Sequence, residues 1–490
     1  MTPTYNITNI RLSTAFFSAL LSILAFYADD IINSDGILYM NSASVYLQSG
    51  LASIPRAEGW PFFSMLVAYF HQITGASFEL SAQILNIGFF VLLTDALVLI
   101  SYKILPSHRQ LVIAALFIIC FQTLNEYRDF IFRDAGYWAF CSLALYRFML
   151  FLDDPTVRNA TLWQILIVIA TLFRVEGIIV LALLPFFLFF ERPIKIALKQ
   201  GLQLNYLFII AVILGLIFAI GQAGLSASFG KLASASYYLD ADRLLALFNA
   251  KTNIISTKVL IPLSAEYSAL ILVSGLLAML ASKLFKGLSF AYLGIYLLSC
   301  YQQKDQRTIP YQKLLIYFTL LNLFILIIFI FHKYFVSARY LNMTLIGTLL
   351  LILPALCQYV EKAWLSKNKT ILTIVSILLF ISLVDSLTQS NSKSYIKETA
   401  IWASQNLPEN STVLTNDEFL NYYFNNHQPK AKSTLIKKSL ASYQDYDYVF
   451  VVEKRKYKKR DAFLTKMDIT PIFSLAEKRG DKASIYKVNH

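Results

Sequence analysis

Long apolar segments recur along the chain from its first residues to about Leu387. About 20 apolar residues in a helix cross the roughly 30 Å of hydrocarbon in a bilayer. About eleven segments fit such helices. The sequence is 57% hydrophobic and 15% charged, and several soluble domains would not have that balance. The chain is therefore predicted to be a polytopic α-helical membrane protein.

The predicted spans cover residues 12–26, 80–102, 110–123, 135–152, 204–220, 267–281, 314–331, 341–360 and 371–387, with two short helices within 162–190. Two shorter apolar segments, 61–75 and 289–300, are predicted to lie at the interface. An odd number of spans and a cytoplasmic N-terminus place the C-terminus outside. The predicted inner loops are richer in lysine and arginine than the short outer loops, which agrees with this topology. The exception is the predicted outer loop 225–262, which also carries lysine and arginine.

After residue 387 the apolar runs shorten, and "STVLTND", "DYVFVVEK" and "KASIYKV" alternate as strands do. The sequence thus predicts a transmembrane domain, residues 1–387, and a small soluble α/β domain outside the membrane, residues 388–490. The basic run "EKRKYKKR" (453–460) indicates a solvated face, with contact to anionic lipid or glycan as the alternative.

Cysteine and histidine residues do not form metal-binding patterns. The four cysteines lack short pair spacings and the five histidines are scattered, so neither zinc nor a disulfide is predicted. The sequence contains no phosphate-binding GxxxxGK[ST] motif and no dinucleotide fingerprint. The net charge of +13 fits cytoplasmic loop lysines as well as a phosphate-bearing lipid.

The stretch "FYADDIINSDGILYMNSASVYLQSG" (26–50) directly follows the first span. We call the part of it that precedes the predicted helix, together with the first turn of that helix, the acid loop. A helix that starts at Asn33 or Ser34 would place Asp35, Tyr39, Ser42 and Tyr46 on one face. The alternative is that Asp35 is only a first-turn acid that suits the helix dipole. Asp29 and Asp30 are predicted to hydrate the end of the first span, and either could replace Asp35 in a shifted register.

Three further loops carry charges at the mouths of spans. These charges are Arg128, Asp129, Arg133 and Asp134 in "NEYRDFIFRDAGYWAF", Arg174 and Glu176 in "FRVEG", and Lys333 and Arg339 in "FHKYFVSARYLN". The predicted topology brings them to the same membrane face as Asp35. An aspartate there can take a proton from an acceptor hydroxyl, while arginine and lysine stabilise a leaving phosphate. The alternative is a set of structural ion pairs at helix ends.

These motifs resemble the GT-C superfamily of polyprenyl-phosphate-sugar-dependent glycosyltransferases, in the branch of protein O-mannosyltransferases and lipid A aminoarabinose transferase. "DGILY" is similar to the acid motif of the first outer loop, with Gly36 where the second acid usually stands. "FRDAGYW" offers the second acid of the family, Asp134, with Asp129 as the other register. "FRVEG" looks like the element between two short helices, and "SARYL" like the Arg-Tyr element that opens a late span.

The resemblance implies an inverting transfer from a polyprenyl-phosphate sugar to a lipid, glycan or protein acceptor. The transfer would take place on the outer face of the inner membrane, and no nucleic acid would take part. It implies Asp35 as general base and Asp134 as an orienting acid. The implied donor, sugar or acceptor contacts are Tyr39, Arg128, Asp129, Arg133, Tyr137, Trp138, Arg174, Glu176, Lys333, Arg339 and Tyr340. No cofactor is certain, and a divalent cation stays open.

Three other functions are alternatives to this one. A transporter would also carry charge within its spans, but paired inverted halves are not visible in the sequence. A polysaccharide polymerase or ligase would have a long outer loop with arginines and a histidine, whereas loop 225–262 has Arg243 and no histidine. The third alternative is a scaffold without activity.

Overall fold

The computed structural model describes residues 6–28, 30–55, 58–221, 240–302, 309–387, 393–428, 430–435, 443–455, 470–478 and 480–488. The helices before residue 388 are α1 (Thr8–Ala28), α2 (Ser34–Ser49), α3 (Phe62–Thr74), α4 (Phe78–Ile104), α5 (His108–Ile119), α6 (Gln122–Asn125), α7 (Asp134–Asp153), α8 (Val157–Phe173), α9 (Gly177–Leu183), α10 (Leu188–Glu191), α11 (Ile194–Gly221), α12 (Ala241–Lys258), α13 (Ser268–Gly287), α14 (Phe290–Gln302), α15 (Gln312–Lys333), α16 (Asn342–Leu365) and α17 (Lys369–Leu387). Short 3-10 helices join some of them, at Leu51–Ser53, Leu184–Phe187, Pro262–Tyr267 and Ala338–Leu341.

Six helical stretches in the described part are long and apolar enough to cross a membrane: Thr8–Ala28, Phe78–Ile104, Asp134–Asp153, Pro262–Gly287, Gln312–Lys333 and Ala338–Leu365. Five shorter apolar helices accompany them. The protein is therefore a multi-pass membrane protein, as predicted. Each predicted span overlaps a helix, but the count of eleven crossings stays a prediction. The two doubtful apolar segments form α3 and α14, which have 13 residues each.

The predicted outer loop 225–262 contains a helix that the sequence pattern did not reveal. Asp240 caps α12, because its side chain accepts a hydrogen bond from the Arg243 N–H at 3.0 Å. This helix is largely polar, so a search for apolar segments passes over it. Three of the predicted features lie outside the described residues: the rest of that loop up to 239, Asp29, and positions 456–460 of the basic run.

In the described residues after 392, the C-terminal part forms a five-stranded sheet with helices α18 (Ser394–Asn406) and α19 (Glu418–His427). Its strands are β1 (Thr412–Thr415), β2 (Lys432–Leu435), β3 (Tyr448–Glu453), β4 (Phe473–Ala476) and β5 (Lys482–Lys487), in the order β2-β1-β3-β5-β4. The first three neighbours run parallel, and β5 is antiparallel to β3 and β4. The predicted α/β class is confirmed, whereas the domain boundary at 387 and 388 stays a prediction.

Helix packing in the membrane part brings the beginnings of α7 and α16 to one face. Helix α7 packs against α4 and α8, and α15 packs against α16. The other end of α7 lies at the opposite face, where Lys103 pairs with Asp153 at 2.5 Å. Side chains at the first residue of α7 and just before α16 can therefore meet at the face that also carries the acid loop.

The C-terminal part docks on the acid loop through α19. The Tyr423 hydroxyl accepts a hydrogen bond from the buried Ile32 N–H at 3.0 Å. The Tyr422 hydroxyl donates to Met40 Sδ at 3.4 Å, and the Lys393 N–H donates to Asp30 Oδ2 at 3.1 Å. The loop before α2 is thus held between the membrane helices and the C-terminal part.

We expect Tyr423→Phe to loosen the acid loop, because a buried N–H that loses its acceptor costs about 1–3 kcal/mol. Hydrogen–deuterium exchange at Ile32 should become faster by about tenfold or more. Tyr422→Phe is the matched control on the same helix, since a thioether is a weak acceptor and its loss should change exchange far less. Equal exchange at Ile32 in both variants would show that the Tyr423 hydroxyl does not hold the loop.

Candidate functional site

Five charged side chains from four separate loops form a continuous chain of ion pairs, called the acid–arginine chain here. Asp35 pairs with Arg339, Asp134 pairs with Arg174, and Arg174 also pairs with Glu176. The Asp35–Arg339 pair is joined to the other three residues by Asp134, since Arg339 Nε lies 3.8 Å from Asp134 Oδ2. The structure therefore brings these five predicted residues together on one face of the bundle.

The acid loop is fixed against the loop before α7 by one asparagine. Asn33 occupies the N-cap position of α2 but makes no cap hydrogen bond. Its side chain instead donates to the Ile131 carbonyl at 3.0 Å and accepts from the Ile131 N–H at 2.8 Å. A Cβ at Gly36 would lie 3.0 Å from the Ile131 Cβ. This crowding gives a steric reason why a second acid does not follow Asp35.

The two aspartates differ in their access to solvent. Asp134 is the first residue of α7, where a carboxylate suits the helix dipole, and its side chain is only 3% exposed. The Asp35 side chain, in the first turn of α2, is 34% exposed. Solvent can therefore reach Asp35, whereas Asp134 lies buried against Arg174 and Arg339.

Arg174 lies at a break between two short helices, as the "FRVEG" motif predicts. Its extended backbone ends α8, and α9 begins at Gly177. A Cβ at Gly177 would approach the Thr171 backbone to 2.9 Å, so the tight turn requires glycine. Burial acts to lower the pKa of Arg174, but the carboxylates of Asp134 and Glu176 outweigh it and raise that pKa well above its usual range.

The same pairing affects Glu176. Burial acts to raise the pKa of the Glu176 carboxyl, but the charge and hydrogen bonds of Arg174 outweigh it and lower that pKa below its usual value. Arg174 and Glu176 therefore stay ionised together at neutral pH. Such a buried set is stable only while every member is present, because each charge compensates another.

One tyrosine supports both arginines of the acid–arginine chain. The Tyr340 ring centroid lies 4.7 Å from the Arg174 guanidinium carbon and 5.2 Å from that of Arg339. Arg339 also donates to the Tyr340 hydroxyl at 3.3 Å. Cation–π contacts of this kind are stronger where water is excluded. Tyr340 thus keeps two guanidinium groups side by side, which is an arrangement that suits a phosphate group.

A small cavity of about 30 Å³ adjoins this chain. The predicted residues in its wall are Tyr137, Trp138, Arg174, Glu176 and Tyr340. The sequence pattern did not point to the other wall residues, which are Asn322, Ile325, Leu326, Phe329 and Met343. These lie in or next to the apolar spans α15 and α16, where nothing in the sequence distinguishes a cavity wall from a face in contact with lipid.

Tyr39 and Arg133 lie near the acid–arginine chain without being part of it. Tyr39 is buried against Phe63, with ring centroids 5.2 Å apart, and its hydroxyl is within electrostatic reach of Asp35, Asp134, Arg133 and Arg339. Arg133 donates to the Trp60 carbonyl at 3.3 Å. The sequence pattern did not point to Trp60 either, although Trp60 directly precedes the apolar segment 61–75.

Three predicted contact residues are not brought into this cluster. Arg128 is buried against α1, where it donates to Ser22 Oγ at 2.8 Å and to the Ser18 carbonyl at 2.9 Å. Asp129 lines a separate cavity near the C-terminal part. Lys333, the last residue of α15, is exposed. Arg128 therefore anchors α1 and is not part of the cluster.

The carboxylates of the cluster face arginines rather than one another. Within the part of the chain that the structure describes, no three His, Cys, Asp or Glu side chains group as metal ligands would. Each of Asp35, Asp134 and Glu176 already has a guanidinium partner. The cluster is therefore arranged as a set of ion pairs.

No family model and no curated protein matches the sequence. Solved structures do match. The oligosaccharyltransferase of Archaeoglobus fulgidus, in complex with Zn and sulfate, aligns with a TM-score of 0.54 and 14% identity over 98% of this chain and 73% of that chain. The same enzyme tethered with an acceptor peptide gives a TM-score of 0.52 and 13% identity over 99% and 74% of the two chains.

A mutant of the arabinofuranosyltransferase AftD from Mycobacteria aligns with a TM-score of 0.55 and 10% identity, over 100% of this chain and 42% of that chain. The chain has a GT-C fold. The fold class predicted from the sequence is thereby confirmed, while membership of the superfamily and of one of its branches stays a prediction. The chain spans less than half the length of the AftD chain.

Proposed function

We propose that this GT-C protein is an integral-membrane glycosyltransferase. It moves a sugar from a polyprenyl-phosphate donor to a lipid, glycan or protein acceptor. The observation that carries the proposal is the acid–arginine chain, which joins four loops at one end of the bundle beside a cavity with an aromatic and apolar wall. The fold supports it, because the matched structures are membrane glycosyltransferases.

Asp35 is the general base in this proposal because it is the accessible carboxylate of the pair. The acceptor hydroxyl oxygen attacks the anomeric carbon of the donor sugar and forms the new glycosidic bond. Its proton passes to Asp35, while the bond from the anomeric carbon to the phosphate oxygen breaks. The leaving group is polyprenyl phosphate, which keeps the electron pair of the broken bond. Because the hydroxyl attacks from the side opposite the leaving phosphate, the anomeric centre is inverted.

Arg339 and Arg174 stabilise the charge on the leaving phosphate. In the structure Arg339 is paired with Asp35, so a donor phosphate that binds Arg339 competes with that carboxylate. Donor binding would then release Asp35 from its ion pair and leave it ready to accept a proton. Asp134 stays between Arg174 and Arg339 and keeps both guanidinium groups in place.

We expect Arg339→Ala to weaken use of the donor more than use of the acceptor. A hydrogen bond to a charged group contributes about 1.5–3 kcal/mol, so the KM for the polyprenyl-phosphate sugar should rise about ten- to a hundredfold. The measurement is a pair of saturation curves, one for each substrate. Arg192→Ala is the control, since Arg192 donates to the Leu152 carbonyl at the other end of α7. An unchanged donor curve would contradict a phosphate-binding role for Arg339.

We infer that the acid–arginine chain and the C-terminal part face outward from an inner membrane. The distribution of lysine and arginine among the predicted loops supports this orientation. A reporter enzyme fused after His490, which lies outside the described residues, should therefore be active outside the cytoplasm. A second fusion within the loop between α10 and α11, near Arg192, should report the cytoplasm. The opposite pair of signals would overturn the orientation.

A further inference from the structure

A second cavity, of about 580 Å³, lies on the same face as the acid–arginine chain, between α1, α4 and the C-terminal part. We call it the α1–α4 groove. Its lower wall is apolar, and Ile23, Phe26, Leu80, Ile84 and Ile87 line it. Its upper rim is polar, and Asp30, Glu79, Asp129, Lys397 and Tyr423 line it.

The apolar wall opens to the region of the bilayer. Ile23, Leu80 and Ile84 are exposed on the protein surface, although they belong to helices that are apolar enough to span the membrane. Ile23 lies near the end of α1, whereas Leu80 and Ile84 lie in the first turns of α4. The groove therefore sits where hydrocarbon gives way to headgroups, and a lipid chain can enter it from the side.

The rim is predominantly acidic. Among the described residues, three carboxylates line it together with one lysine, Lys397, whose Nζ lies 5.2 Å from the Tyr423 ring centroid. Lys397 also interacts electrostatically with Glu79. An anionic headgroup would meet more negative than positive charge, which costs free energy near low-dielectric walls. A headgroup with one phosphate and one amine complements both signs of charge on the rim.

We propose that the α1–α4 groove binds a zwitterionic phospholipid with a primary-amine headgroup. The acyl chain lies along Ile23, Ile84 and Ile87, the phosphate meets Lys397, and the ammonium group donates to carboxylates of the rim. The proposal does not depend on glycosyl transfer, because the groove is separate from the acid–arginine chain. It adds a ligand at the junction where Tyr423 holds the acid loop.

Lipid binding to the full chain in detergent tests the proposal by native mass spectrometry. Short-chain phosphatidylethanolamine, phosphatidylglycerol and phosphatidylcholine are titrated separately. We expect phosphatidylethanolamine to bind about tenfold more tightly than phosphatidylglycerol, and also more tightly than phosphatidylcholine, which lacks N–H donors. Equal affinity for the three lipids, or a preference for phosphatidylglycerol, would overturn the proposal.

Three variants localise the binding. Glu79→Gln should reduce the preference for the amine headgroup, and Lys397→Gln should weaken the binding of phosphatidylethanolamine about tenfold. Ile84→Trp should fill the groove and lower binding of every lipid, at an exposed position that tolerates a larger side chain. Glu409→Gln is the matched control, because Glu409 pairs with Lys430 on the exposed surface away from the groove. Unchanged binding in the three groove variants, each shown to be folded by its melting temperature, would place the lipid elsewhere.

Discussion

Asp35→Asn is expected to lower the turnover of sugar transfer by about 10²- to 10⁴-fold, which is the usual contribution of a positioned general base. Asparagine has the same shape as aspartate but cannot take a proton from the acceptor hydroxyl. The protein should stay folded, because Arg339 keeps Asp134 as a charged neighbour at 3.8 Å and Asp35 is partly exposed. The rate of a single turnover with a polyprenyl-phosphate sugar measures the effect.

Asp154→Asn provides the matched control for this experiment. Asp154 directly follows α7 at the face opposite the acid–arginine chain, so it should keep normal turnover. If Asp35→Asn also kept near-normal turnover, Asp35 would not be the base. Asp30 would then be the next candidate, since it lies in the same loop and the sequence allows a shifted register.

Arg174→Ala is expected to lower the free energy of unfolding by about 3–5 kcal/mol. The substitution leaves the carboxylate of Glu176 without its guanidinium partner and leaves Asp134 with Arg339 alone, 3.8 Å away, in a buried environment. Reversible unfolding in mixed micelles, followed by tryptophan fluorescence, measures the difference. Lys313→Ala is the control, because Lys313 pairs with Glu191 at 3.0 Å in an exposed setting, where such pairs contribute about 0–1 kcal/mol.

The effect of Arg174→Ala should depend on pH. Arg174 lowers the pKa of Glu176, so their interaction adds stability above the ordinary glutamate value of about 4.3. That stability is lost as the pH falls through the lowered pKa of Glu176. The difference between the wild-type protein and Arg174→Ala should therefore be largest near neutral pH and should shrink below about pH 4. A difference that stays constant from pH 7 down to about pH 3 would contradict this explanation of the pairing.

Charged residues at helix ends were predictable because they interrupt apolar runs. The break at Arg174 and the arginine before α16 are visible in the sequence without any structural information, and the structure brings both to the same place. The cavity wall was not predictable in the same way. Phe329 and Met343 lie among uniformly apolar neighbours, and a helix that is apolar all round carries no periodic signal for its inner face.

Two Arg-Asp pairs in one loop also show where the sequence is ambiguous. Arg128 and Arg133 have similar neighbours, yet Arg128 points to α1 and Arg133 lies near the acid–arginine chain. Ser18 and Ser22 carried a usable signal, because two serines four residues apart on a spanning helix offer a buried partner for a cation. In the C-terminal part the alternation in β1, β3 and β5 was clear, whereas β2 and β4 were missed.

The hydrogen bond between Ile32 and Tyr423 joins residues that are 391 positions apart in the chain. The ribosome therefore makes the acid loop long before it makes the helix that fixes this loop. At synthesis rates of about 5–20 residues per second, the interval is about 20–80 s. During that time the membrane helices can insert and pack, but the loop with the proposed general base lacks the support of α19. This end of the protein is thus completed only after the last membrane helix has left the ribosome.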